Sequence, residues 1–144
     1  MRDGKKVGFT AGAFDLCHAG HMLMFEEAKM QCEYLIVALQ SDPSIDRPDA
    51  KNKPIMSMKE REIILKGVKY IDEIVPYDTE ADLLKILTEN TLGIDVRILG
   101  KEYKDKPYTG RDLPLLSYYN TRDHGYSTTE LRRRVYEAEV AKNS

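Results

Sequence analysis

The stretch Thr10-Ala11-Gly12-Ala13-Phe14-Asp15-Leu16-Cys17-His18-Ala19-Gly20-His21 decides the fold. An apolar run over residues 7–11 precedes its turn, and an apolar-periodic segment begins at Met22, giving the order strand, glycine-bearing turn, helix. Two of the chain's 3 histidines stand here, three positions apart. On the first turn of a helix that spacing sets both imidazoles on one side. A helix N-terminus also offers unpaired backbone N–H groups and a partial positive charge. Two hydrogen-bonding imidazoles beside such a terminus point to a phosphate site.

Outward from this stretch, strands and helices alternate. Residues 6–11 read as the first strand and 18–31 as the first helix, with Met22, Phe25, Ala28 and Cys32 toward a sheet. Residues 34–40 are near-continuously apolar, as in a strand covered on both faces. A long polar loop over residues 41–55 holds Pro43, Pro48 and Pro54 with Arg47, Lys51 and Lys53; loops of this length are often functional. Ser57 and Glu60 form a capping box opening a second helix, with Ile64, Leu65, Val68 and Ile71 inward. A third strand spans 73–76. Thr79 caps a third helix that ends near Asn90, with Leu83, Leu84, Ile86 and Leu87 as its apolar face. A fourth strand, 95–99, closes on Gly100; a charged loop, 101–113, and a fifth strand, 115–119, follow. Ser127 and Glu130 form another capping box, opening a last helix to about Val140. Five strand–helix repeats with apolar strands predict an α/β chain: one domain over 1–144, with a five-stranded parallel sheet and helices on both faces. Ligands in such sheets sit beyond the carboxyl ends of the strands, where both motifs and both polar loops fall.

The composition, 42% hydrophobic and 32% charged, is that of a folded globular chain. A formal net charge of −2 gives no bias toward nucleic acid or an anionic membrane, so any anionic substrate needs a local cluster. No apolar run approaches the roughly 20 residues of a membrane span, and no apolar segment follows the charged start. Two cysteines without CxxC spacing fit a reducing cytoplasm. Neither a GxxxxGK[ST] loop nor GxGxxG after the first strand occurs, which disfavours kinases, GTPases and common dehydrogenases. Asp15, Cys17, His18 and His21 are all metal-ligand types, but helical spacing does not align Cys17 with the histidines, so no metal site is expected there.

The second constellation is Arg122-Asp123-His124-Gly125-Tyr126-Ser127-Thr128-Thr129. A cap needs one hydroxyl and here there are three in a row. With a nearby guanidinium, that helix start suits a polyphosphate.

These two segments resemble the HxGH and Arg-Thr-Glu-Gly-x-Ser-Thr-Thr motifs of the nucleotidyltransferases related to glycerol-3-phosphate cytidylyltransferase. Asp123 and His124 depart from the second motif. The resemblance implies a Rossmann-like three-layer fold and transfer of CMP from CTP to a phosphorylated alcohol such as glycerol 3-phosphate, releasing pyrophosphate. The attacking phosphate oxygen is already anionic, so the site must align reactants and disperse charge rather than supply a strong base. His18 and His21 are then expected at the triphosphate, Arg122 with Ser127, Thr128 and Thr129 at the departing pyrophosphate, and Lys53 as a further catalytic contact. Backbone groups of Ala11, Gly12, Ala13 and Phe14 would approach the nucleotide, with Asp15 placing a metal or bracing the turn. Arg61 is expected at the acceptor. Magnesium is implied, held mainly by substrate phosphates and water. A homodimer is implied too.

Where relatives that use CTP carry Gly-Asp-Asp, this chain has Gly100, Lys101 and Glu102. Glu102 can accept a hydrogen bond from the exocyclic amine of cytosine, and adenine carries one as well. An ATP-using adenylyltransferase is therefore the alternative, and a non-catalytic nucleotide-binding module a further one.

Overall fold

In a computed structural model that describes residues 3–121 and 124–143, the chain builds β1 (Val7–Gly12), α1 (Ala19–Met30), β2 (Tyr34–Gln40), α2 (Met58–Lys66), β3 (Glu73–Tyr77), α3 (Glu80–Glu89), β4 (Val96–Leu99), β5 (Leu116–Tyr119) and α4 (Thr128–Lys142). The strands form one sheet in the order β3-β2-β1-β4-β5, every pair parallel. Strand order reverses between β1 and β4, so the crevice beyond Gly12 and Leu99 is the switch point at which such folds bind ligands.

Alternation along β2 explains the layers. Leu35, Val37 and Leu39 face a cluster with Phe25 and Ala28 of α1 and Leu65 of α2. Ile36 and Ala38 face the other side, against Leu83 and Leu87 of α3. Burial on both faces is why this strand reads as an unbroken apolar run.

Ser57 and Thr79 each close a full capping box, with Glu60 and Asp82 respectively. The box expected at Ser127 forms by half. Ser127 Oγ accepts from the Glu130 amide at 3.0 Å, while the Glu130 carboxylate turns to Arg133. Two expected inward residues also fall outward: Ile64 is 39% exposed and Leu84 43%. α2 stops at Lys66, so Val68 packs from beyond the helix and only Leu65 of the expected stripe is buried within it.

Candidate functional site

Phe14 and Leu16 adopt left-handed φ values of 49° and 50°, a conformation that costs a non-glycine residue about 1–2 kcal/mol. The kinks turn the chain from β1 into α1 and set the Phe14 ring into the core against Phe25. Phe14 therefore offers the site only backbone. His18 becomes the N-cap of α1 rather than its first helical residue.

The two imidazoles cap the helix reciprocally. His18 Nδ1 accepts from the Gly20 amide at 3.0 Å, and His21 Nδ1 accepts from the His18 amide at 3.1 Å. Two of the amides expected to face an anion are thus satisfied by the rings themselves. The same bonds fix the tautomers, because a neutral ring that accepts at Nδ1 carries its proton on Nε2. His18 Nε2–H accordingly donates to Thr128 Oγ1 at 3.1 Å, joining two segments 110 positions apart.

Both rings are neutral near pH 7. Burial, then the neighbouring His18, pushes His21 down to about 4, against an opposing pull from Asp15. Burial followed by His124 lowers His18. The glycine of the motif has a steric origin. A Cβ on Gly20 would lie 2.8 Å from His18 Cε1 and 3.0 Å from His124 Cε1, so both rings rest on its bare Cα.

His18, His21, Gly100, Glu102, Ser127 and Thr128 line one open cavity of about 310 Å³, together with Asn120 and His124. Ser127 Oγ serves the helix cap and Thr128 meets His18, while Thr129 is exposed and outside this lining. Glu102 folds back over Gly100. A Cβ there would be 2.5 Å from both carboxylate oxygens, closer than any side chain tolerates. Arg122 lies outside the described residues.

A second cavity of about 530 Å³ opens on the other side of Gly100. Ala11, Gly12 and Ala13 line it, as do Arg47, Lys51, Arg97 and Glu80. Arg97, on β4, is 6% exposed and donates to Thr109 O beneath the Tyr108 ring. It has no carboxylate partner among the described residues. Arg47 Nη2 lies 3.9 Å from Glu80, and its buried Nε has no hydrogen-bond partner among the described residues. Sequence reading missed Arg97, although a lone charge in the apolar run Val96-Arg97-Ile98-Leu99 was a signal that it serves a cavity.

Two sequence expectations, those for Arg61 and Lys53, are corrected, and Asp15 makes the contacts of one of its two expected roles. Arg61 cannot contact an acceptor: it is 2% exposed and its guanidinium donates to five backbone carbonyls, those of Met56, Ser57, Ala13, Gln40 and Ser41. The side chain of Asp15 braces the turn, accepting from the amides of Ile55 at 2.7 Å and Met56 at 2.9 Å. Lys53 is exposed and lines neither cavity, whereas Lys51 of the same loop lines the larger one. A further buried group went unread. Glu27, 3% exposed, accepts at Oε2 from the Tyr118 hydroxyl and from the amide and hydroxyl of Thr121, anchoring the turn that follows β5. Among the described residues no group of three or more His, Cys, Asp or Glu side chains is placed to hold a metal.

Fold and site define a doubly wound α/β chain with two cavities at its switch point. Residues 9–134 match the cytidylyltransferase-like family, and the chain belongs to it. The Bifunctional protein HldE of Campylobacter jejuni is 32% identical over 134 residues, which cover 93% of this chain and 28% of that protein. The chain thus spans less than a third of the length of such curated relatives. A lipopolysaccharide core biosynthesis protein from Thermoplasma volcanium superposes with a TM-score of 0.58 at 21% identity, covering 94% of this chain and 90% of that one. A bifunctional NMN adenylyltransferase/ADP ribose pyrophosphatase from Francisella tularensis, complexed with AMP and Mn ion, superposes at 0.60 and 17%, covering 92% and 42%. These last two likenesses concern the fold.

Proposed function

We propose that this chain transfers a nucleotidyl group from a nucleoside triphosphate to a phosphorylated acceptor, releasing pyrophosphate. One observation carries the proposal: the histidine-lined cavity and the cationic cavity meet at Gly100, so two phosphorylated molecules can be brought end to end there. His18 and His21 supply neutral Nε2–H donors to the triphosphate, that of His18 by exchanging its Thr128 Oγ1 partner for a phosphate oxygen, and so stabilise charge as it builds on the leaving group. The hydroxyls of Ser127 and Thr128 belong to the pyrophosphate end, while Thr129 lies outside the lining, and Arg122 is assigned there by the resemblance. The acceptor phosphate enters the larger cavity, where Arg97, Arg47 and Lys51 outnumber Glu80.

Magnesium fits only as an ion held through phosphate oxygens and water, with Glu102 the carboxylate in the triphosphate cavity. When bound it supplies positive charge to the phosphate oxygens. The association of copies is proposed from the resemblance alone.

Glu102 reads an exocyclic amine, which CTP and ATP share. CTP follows from the family resemblance. ATP is the second reading, favoured by Lys101 in place of an acid and by the AMP bound to the Francisella protein of like fold. A panel of nucleoside triphosphates against phosphorylated alcohols and sugar phosphates, scored by pyrophosphate release, tests the proposal. We expect turnover with CTP or ATP and at least one phosphorylated acceptor, and a fall of about 10² or more in His18→Ala. No pyrophosphate release with any pair, or full activity in a folded His18→Ala, would refute it.

A further inference from the structure

We infer that His124 is a third imidazole donor to the polyphosphate of the donor nucleotide, an inference that rests on the nucleotidyl-transfer reading above. Its ring lines the same cavity as His18 and His21, although it comes from a distant part of the chain, the turn between β5 and α4. It is close to His18: Cε1 of each ring would lie within 3.0 Å of a Cβ on Gly20.

His124 Nδ1 accepts from the Tyr126 amide at 3.2 Å. The neutral ring must then carry its proton on Nε2, and among the described residues that N–H has no partner. The arrangement repeats what capping does to the other two rings. In all three, a backbone amide holds Nδ1 and leaves Nε2–H to point away from it. Three imidazole N–H donors lining one cavity, that of His18 shared with Thr128 Oγ1, fit phosphate oxygens and nothing apolar. Glutamate, which holds this place in the family motif, is an acceptor only; histidine here adds a donor where Ser127 and Thr128 open α4. Because that end of the cavity adjoins the hydroxyl-rich helix start, the phosphates reached are those that depart as pyrophosphate.

Inorganic tripolyphosphate isolates this contact from base and acceptor. Its affinity for the full chain is measured by titration calorimetry in wild type, His124→Ala, His124→Gln and His124→Asn, with circular dichroism as the check on folding. We expect His124→Ala to weaken binding about tenfold or more, the scale of a hydrogen bond to a charged group. His124→Gln, whose amide nitrogen reaches the place of Nε2, should recover most of the affinity, and His124→Asn, whose amide reaches only the place of Nδ1, should not. Unchanged affinity in a folded His124→Ala, or equal loss in Ala and Gln variants, would overturn the inference while leaving nucleotidyl transfer intact. If wild type binds no tripolyphosphate, and no pair in the panel yields pyrophosphate, the underlying reading falls as well.

Discussion

His21 packs edge-on to the Phe14 ring, with centroids 5.8 Å apart, and faces His18 at 4.1 Å. That enclosure lowers its pKa from 6.5 to about 4. Between those values the unfolded chain binds a proton at this residue and the folded chain does not, so acid favours unfolding. The stability His21 contributes is complete above about pH 6.5 and is lost as pH falls toward 4. Urea midpoints measured across this window should fall more steeply for wild type than for His21→Gln; parallel curves would contradict the burial argument. The histidine pair itself was legible in the sequence, because spacing alone put both rings on one side of a helix start. Their tautomers were not, since these depend on which amide each Nδ1 meets in three dimensions.

At the scale of elements, caps and apolar periodicity located every strand and every helix start to within a few residues, because those signals are local, while the stripe read through Ile71 overran the end of α2 at Lys66. Arg61 shows where local reading fails. A cation in the first turn of a helix beside a basic loop looks like a ligand contact, yet its carbonyl partners come from the ends of β1 and β2 and the entry to α2. Nothing in the sequence announces that convergence. Arg61→Ala should destabilise the fold by about 3 kcal/mol, because buried carbonyls lose their donor. Arg61→Lys should restore little, since an ammonium cannot span the same fork. Chemical denaturation of the two variants checks both; a loss below about 0.5 kcal/mol in Arg61→Ala would return the residue to the surface class.

For the whole molecule, the alternation of strands and helices foretold a parallel sheet, and the two motifs fell at its carboxyl edge as such folds require. The larger cavity stayed illegible. Its lining is gathered from β1, the loop after β2, the start of α3, β4 and the loop after it, and no one of these segments shows that it meets the others. Its separation from the histidine cavity has a kinetic signature. Arg97→Gln should raise the acceptor KM about tenfold and leave the nucleotide KM unchanged in two-substrate steady-state assays. A change confined to the nucleotide would exchange the roles of the two cavities.

α4 is the least covered helix of the fold. None of its 15 residues is buried, and Val135, Tyr136 and Val140 stand in solvent at 61%, 69% and 48% exposure. A helix of that length is marginal when so little of it is covered, and its half-buried residues, Thr128, Glu130, Leu131 and Arg132, all lie in the first five, where Thr128 meets His18. Warming is therefore expected to loosen one wall of the histidine-lined cavity before the five strands part; loss of pyrophosphate release at a lower temperature than loss of far-UV circular dichroism would show it.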